Sequence, residues 1–504
     1  MLLSFQHVTF AYDGAPTPLF EDMTLHLAEG WTGIVGPNGA GKTTFLHLAA
    51  GYLEPQRGIV QRPGSVVFCP QRTDDLPAEL PTLISSAEAE ACVWRGRLRI
   101  GEGWAERWPT LSHGERKRAQ IAVALWQQSG VLLLDEPTNH IDLVARELLI
   151  EALASFRGIG VLVSHDRGLL DRFCRQCLFL DPPQVTLRPG NYTKAAAEGE
   201  REETSLRVRR SVLQQNLERL EEESKRRSTK ASHADKKNSK RGLARGDSDG
   251  RAKIDLARVS GQDGKAGRLA VQLKSRMEHA QGEIEDIKIQ KRYTASFWIE
   301  GSLSPRPTLF TLPEEVLPLD GTRTLSLPVL SMQRSDRIAL TGANGLGKST
   351  LIRHILSSLD MPPGHLVYLP QEIDLAETRR IMSDVNHLSR EQLGKIMTVV
   401  SALGSRPERL LGNLDISPGE LRKVLLALGV VRQPYLIVMD EPTNHLDLPA
   451  IECLERALRD CPCGLLLVSH DMYFLSKVTQ KRWHLEQRGK KIFLSREGVT
   501  AGGA

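Results

Sequence analysis

Long hydrophobic runs are missing from this 504-residue sequence: no apolar stretch approaches the ~18–20 residues a membrane span requires. The opening stretch, MLLSFQHVTFAY, alternates like a β-strand and lacks the basic start and apolar run of a signal peptide. Cysteine is scarce. Seven, an odd number in so long a chain, do not read as a disulfide framework. Cys174 and Cys177 form a single CxxC, and Cys461 and Cys463 flank a proline. Neither pair has a second matched pair or a nearby histidine at zinc spacing, which argues against a metal site there. Together these absences predict a cytoplasmic protein.

What is present is ordinary in total and uneven in distribution. A hydrophobic fraction of 40% and a charged fraction of 25% suit a globular protein, and the length suits two or three domains. The formal net charge is +5, yet residues 225–276 hold sixteen Lys/Arg against five Asp/Glu. That segment carries +11 and the remainder −6. Its centre, RSTKASHADKKNSKRGLARGDSDGRAK (residues 227–253), contains no aromatic and little that could fill a core. A charge asymmetry of this kind points to a polyanionic partner, the plainer reading being a solvated linker.

On either side of that segment stand two phosphate-loop patterns. GPNGAGKT (residues 36–43) and GANGLGKS (residues 342–349) each follow an apolar, strand-like run and precede a helix-like one. In such a loop the glycines Gly36, Gly39 and Gly41, and Gly342, Gly345 and Gly347, let backbone N–H groups turn toward phosphate oxygens. Asn38 and Asn344 belong to the same loops, and Thr44 and Thr350 extend the site into the following helix, whose positive end faces the anion. Lys42 and Lys348 would reach the β- and γ-phosphates of ATP, and Thr43 and Ser349 would contact Mg²⁺. A second landmark is VLLLDEPTNHIDL (residues 131–143), matched by LIVMDEPTNHLDL (residues 436–448). Four apolar residues predict a buried strand ending in two carboxylates: Asp135 and Asp440 for the Mg²⁺ shell, Glu136 and Glu441 as general bases toward water. Ser-His-Asp follows in each copy, placing His165 and His470 each 29 residues beyond the glutamate, where they could bond the γ-phosphate. Between copies the glutamates and the histidines are both offset by 305 residues and the loop lysines by 306, the mark of one module used twice.

A third landmark, LSHGERKRAQ from Leu111 and ISPGELRKV from Ile416, begins about 25 residues before each carboxylate pair. Ser, Gly and Glu open a helix there, and its free N–H groups make a further phosphate-binding surface. These residues resemble the signature sequence of ATP-binding cassette (ABC) proteins. Gln71 and Gln371, in CPQ and LPQ, resemble that family's Q-loops, which add to the Mg²⁺ site. Tyr12, 24 residues before the first phosphate loop, resembles the aromatic that stacks on adenine. The resemblance implies two cassettes paired head to tail within one chain, hence a monomer. One ATP site would set Lys42, Thr43, Asp135, Glu136 and His165 against Ser417, Gly419 and Glu420. The other would set Lys348, Ser349, Asp440, Glu441 and His470 against Ser112, Gly114 and Glu115. His113 and Pro418 replace a usual glycine of the signature, and the second cassette has no aromatic at the place of Tyr12.

The Asn-His of DEPTNHID and DEPTNHLD resembles the ABC-F subfamily. Only about 40 residues separate Gln71 from Leu111 and Gln371 from Ile416, which leaves little room for the helical region by which transporter cassettes grip membrane subunits. The alternative is the tandem ATPase subunit of an ABC importer. RPGNYTKAAAE (residues 188–198) resembles the lead-in to the ABC-F interdomain linker. Leu206, Leu213, Leu217 and Leu220 fall on one heptad seam, and Leu273, Met277, Ala280, Ile284 and Ile287 step by 4, 3, 4 and 3 on another. Two seams around a polar segment predict an antiparallel helical hairpin. The first helix is expected over residues 193–227, with 227–253 as an irregular tip. The expected division is thus an α/β cassette at 1–192, the hairpin at 193–300 and a second α/β cassette at 301–504. Lys230, Lys236, Lys237, Lys240, Arg241, Arg245, Arg251 and Lys253 are the candidate RNA contacts. Without aromatics the tip is suited to phosphates more than to stacking on bases. The resemblance implies an ATPase that binds the ribosome at its tRNA exit site in the ATP state. Its linker would reach toward tRNA and the peptidyl-transferase centre, and the protein would serve as a translation factor or in protection from antibiotics.

Overall fold

A computed structural model describes residues 1–139, 141–237, 262–287, 299, 301–320, 323–371, 373, 375–405, 418–444 and 446–498. Residues 1–195 and 293–504 form one compact unit, and residues 196–292 a second.

The first unit holds two α/β modules of the same plan. In the first, a six-stranded sheet runs in the order Val66–Cys69, Val131–Asp135, Ile159–Val163, Gly30–Val35, Cys174–Asp181, Gln184–Pro189. In the second, an eight-stranded sheet contains the same succession: Leu366–Leu369, Leu436–Asp440, Gly464–Val468, Arg337–Gly342, Lys481–Arg488, Lys491–Gly498. Neighbours are parallel until the final hairpin, which is antiparallel. Every residue of Val131–Asp135 and of Leu436–Asp440 is buried, as expected of central parallel strands covered on both faces. The order puts the phosphate-loop strand one place from the histidine strand and two from the carboxylate strand. All three therefore deliver their C-terminal ends to one edge of the sheet, where ligands of such sheets bind.

The modules differ at their outer strands. In the first, Phe20–Ala28, Leu2–Phe10 and Arg57–Gln61 make a separate antiparallel sheet. Phe5 and Phe20 pack on Phe45 beneath the phosphate-loop helix, with ring centroids 4.8 and 6.3 Å away. In the second, Glu315–Pro318 and Thr324–Leu327 join the main sheet through Lys491–Gly498.

The second unit contains most of one helix, Tyr192–Lys237, and all of another, Gln262–Asp286. Leu213, Asn216, Leu220 and Glu223 share a groove with Arg276, His279, Ala280 and Glu283, so the helices lie side by side. Leu213, Leu217, Leu220, Met277, Ala280 and Ile284 are half-buried and Leu273 is buried, whereas Leu206 is exposed. The seam therefore begins at Leu213. The first helix also runs ten residues past the expected end at Arg227. No glycine or proline interrupts residues 228–237, and an Arg227–Glu223 pair one turn apart supports the helix there. At 1.5 Å per residue its 46 residues span roughly 70 Å.

Candidate ATP sites

Each phosphate loop is held by its glycines and its lysine. Gly41 and Gly347 cap the following helices with φ of 86° and 89°. A side chain at either place would also collide with a leucine, since a Cβ would lie 2.7 Å from Leu19 and 2.6 Å from Leu319. Glycine is needed on both counts. Lys42 Nζ donates to the carbonyls of Gly36 (2.9 Å) and Pro37 (3.2 Å), and Lys348 Nζ to those of Gly342 (2.8 Å) and Ala343 (3.1 Å). Both ammonium groups bridge their own loop and are pushed down by burial, against the pull of nearby Glu136 and Glu441.

Hydroxyl and carboxylate meet at the start of each helix. Thr43 Oγ1 donates to Asp135 Oδ2, and Ser349 Oγ to Asp440 Oδ2, both at 2.7 Å. Two hard oxygen donors at that spacing fit one face of a Mg²⁺ ion, with phosphate and water to complete an octahedron. Gln371 lines the cavity of the second site, and Gln71 is exposed at the end of the matching strand of the first.

Glu136 and Glu441 are buried at the strand ends, with φ of 46° and 52°. That left-handed conformation is unfavourable for a residue with a side chain. It persists because the N–H of Glu136 bonds Val163 O (2.9 Å) and that of Glu441 bonds Val468 O (2.8 Å). One carboxylate oxygen, Oε2, accepts the N–H of His165 (3.2 Å) or His470 (3.3 Å). The other, Oε1, is buried and receives no hydrogen bond from the described residues, although an imidazole Nε2 lies 3.2 Å away in the first site and 3.5 Å in the second. Burial raises the Glu136 carboxyl to about 7, with Lys42 opposing, and moves Glu441 in the same direction. Burial lowers both histidines, His470 to about 4, so the imidazoles are neutral at pH 7. His470 Nε2 also lies 3.0 Å from Asn344 Oδ1.

The described residues that face each site include ones the sequence did not single out. A cavity of about 460 Å³ around Lys348, Ser349, Asp440 and Glu441 is closed from the first cassette by Thr138, Asn139, Ile141, Arg146, His165 and Asp166. Ser112 and Gly114 do not line it. Ser112 is tied into a capping box with Glu115, and Gly114 backs onto Ile141 of the intervening loop. At the first site Asp447 is a facing group among the described residues. Its Oδ1 caps its own helix at Ala450 N–H, and its Oδ2 accepts the N–H of Asn38 in the opposite phosphate loop at 2.9 Å. Ser417 lies outside the described residues. Gly419 and Glu420 stand in the first turn of Pro418–Val431. That helix starts on Pro418 as its counterpart starts on His113, and proline is well accepted at a first helical position. Tyr12 keeps a half-exposed ring and bonds Thr44 Oγ1 through its hydroxyl at 2.8 Å. Of the proposed RNA contacts, Lys230, Lys236 and Lys237 fall on the first linker helix and the other five lie outside the described residues.

Of the buried cations that escaped the sequence reading, two stand beside the sites, Lys117 and Arg422. Lys117 Nζ donates to the carbonyls of Pro70 (2.7 Å) and Gln71 (3.1 Å). Arg422 Nη2 reaches the carbonyls of Pro370 (3.1 Å), Asp440 (2.7 Å) and Glu441 (3.0 Å). Each ties the signature helix to the Q-loop. The signal was available: 305 residues separate Lys117 from Arg422, the same step as the glutamates. Arg422→Met would strand three carbonyls, so we expect a loss of roughly 2–4 kcal/mol in a denaturant midpoint and slower hydrolysis. Arg422→Lys should restore most of both. An Arg422→Met chain as stable and as active as the parent would show that these bonds contribute nothing.

The sequence profile of the ABC transporter family matches residues 20–139 and again residues 328–444. The ribosome protection protein VmlR of Bacillus subtilis is 29% identical over 500 residues, covering 95% of this chain and 86% of that protein. The tylosin resistance ATP-binding protein TlrC of Streptomyces fradiae is 29% identical over 599 aligned positions, covering 99% and 98%. Among solved structures, archaeal aABCE1, described as a ribosome recycling factor, superposes with a TM-score of 0.64 at 18% identity, covering 98% of this chain and 90% of that one. That likeness concerns the fold.

Proposed function

The chain belongs to the ATP-binding cassette family as a tandem-cassette ATPase of the ABC-F type, and on that premise we propose that it uses ATP to engage the ribosome. The cassettes bind and hydrolyse ATP. In each site we assign Mg²⁺ to the Thr43–Asp135 or Ser349–Asp440 pair with Gln71 or Gln371, where the ion would neutralise phosphate charge. Glu136 and Glu441 would accept the proton of the attacking water at the buried Oε1, which has no other donor among the described residues. His165 and His470, neutral and beside that oxygen, would donate toward the γ-phosphate or orient the water. Among the described residues no helix is long and apolar enough to cross a membrane.

The observation that carries the ribosome reading is the +11 segment 225–276, which takes in the end of one long helix and the start of the next, in a chain similar to VmlR across 95% of its length. We assign the linker to rRNA and tRNA through phosphate contacts, in the cytoplasm, with the protein bound at the tRNA exit site in its ATP state. Hydrolysis would release it. Likeness to VmlR and TlrC favours protection from antibiotics of the peptidyl-transferase region over a housekeeping translation factor. Expression in a sensitive bacterium tests this. Susceptibility to such drugs should fall at least fourfold, and should not fall for a Lys42→Ala/Lys348→Ala chain. Unchanged susceptibility to every drug of that site would return the assignment to a translation factor, provided the chain still co-sediments with ribosomes in ATP.

A further inference from the structure

The two ATP sites differ beside the phosphate loop. In the first cassette a nine-residue connection, 11–19, joins Leu2–Phe10 to Phe20–Ala28. It carries Tyr12, edge-on to Phe10 at 5.1 Å and bonded to Thr44, and Leu19, packed on Gly41. In the second the corresponding connection is five residues, 319–323, between Glu315–Pro318 and Thr324–Leu327. Leu319 packs on Gly347 as Leu19 does on Gly41, so the two loops are matched at that point. Beyond Leu319 the second loop presents Arg323 in place of an aromatic. Its Nε donates to Asp320 Oδ2 at 2.7 Å, its Nη1 donates to Gly345 O at 3.2 Å, and its own backbone N–H donates to Asp320 Oδ1 at 2.8 Å. Leu319, Arg323 and Thr350, the counterpart of Thr44, line one cavity with Asn344, Lys348 and Ser349.

We propose that Arg323, with Leu319 at its edge, is the nucleobase subsite of the second ATP site, taking a purine on the guanidinium plane where the first site uses Tyr12. A guanidinium is planar and weakly hydrated, and it stacks on aromatic faces. Here it is held at two points, so little side-chain freedom is lost when a base arrives. The shorter loop sets the arginine on the phosphate loop itself, through its bond to Gly345 O. The two sites thus hold the same triphosphate by different contacts to the base.

This rests on the ATP reading of the second site, and the test separates the two. In full-length protein with Lys42→Ala disabling the first loop, binding of Mg-ATP and of Mg-tripolyphosphate, which has no base, is measured by calorimetry. Arg323→Ala should weaken ATP roughly tenfold and leave tripolyphosphate unchanged, and Arg323→Tyr should recover ATP binding. Arg323→Lys, which keeps the charge and can still pair with Asp320, should not. Rescue by Lys and not by Tyr would make Arg323 a structural ion-pair partner and overturn the proposal. ATP affinity unaffected by Arg323→Ala would overturn it too. If the Lys42→Ala protein binds neither ligand, the ATP reading of the second site itself fails.

Discussion

A chain carrying both Glu136→Gln and Glu441→Gln should bind ATP normally and hydrolyse it ~10²–10⁴-fold more slowly than the parent. The amide preserves shape and the hydrogen bond from the histidine N–H, but at the buried Oε1 position it can no longer take a proton from water. Stability should not fall. The folded-state carboxyl of Glu136 is raised to about 7 by burial, so above the ordinary glutamate range its ionisation weakens the fold. An uncharged amide removes that cost, and the melting temperature at pH 8 should equal or exceed the parent's. The single variants report coupling: independent sites would each retain about half the turnover, whereas obligatorily alternating sites would lose nearly all of it with either change. Turnover by the double variant within a few-fold of the parent would exclude both glutamates as the base. The same protein, held in the ATP state, should co-sediment with ribosomes more strongly than the parent does.

Much of each site is legible in the chain because its parts are local. The Gly-x-x-x-x-Gly-Lys loops, the apolar runs ending in Asp-Glu and the Ser-His-Asp triplets lie on single strand ends, and a repeat of about 305 residues reproduces each of them. The structure gives each module the same succession of strands, which brings those ends to one edge. The features hidden in the sequence depend on partners distant along the chain. The carbonyls that hold Lys117 lie 46 and 47 residues away, and Asp447, whose Oδ2 accepts the Asn38 N–H, is 409 residues from Asn38. Arg323 is hidden for a different reason. A fixed spacing from the phosphate loop locates Tyr12, but in the second cassette the connection shortens from nine residues to five, so the same spacing misses the position. The linker helix outruns its expected end because charge alone does not end a helix. Residues 228–237 contain no glycine or proline, and half of them are alanine or lysine.

Removing the basic end of the linker should abolish the biological effect while sparing the ATPase. The described helices cover Tyr192–Lys237 and Gln262–Asp286, so the cut that spares both is 238–261, with a short glycine-containing turn joining them. Such a cut keeps the packed stretch around Leu213, Leu220 and Ala280, so the paired helices and the cassettes should melt as before. A milder variant replaces Lys230, Lys236, Lys237, Lys240, Arg241, Arg245, Arg251 and Lys253 with glutamine. If these cations meet rRNA or tRNA phosphates, each ion pair removed should lower the slope of log affinity against log salt by ~0.7–0.9. Removing about four such pairs would then flatten that slope by about 3, and at ~0.1 M salt the variant should bind ribosomes at least tenfold more weakly. Turnover of ATP without ribosomes should stay within twofold, since none of these residues lies in either cassette. Ribosome affinity, salt slope and drug susceptibility all unchanged by the deletion would assign the segment to a solvated linker and leave ribosome binding, if present, to the cassettes.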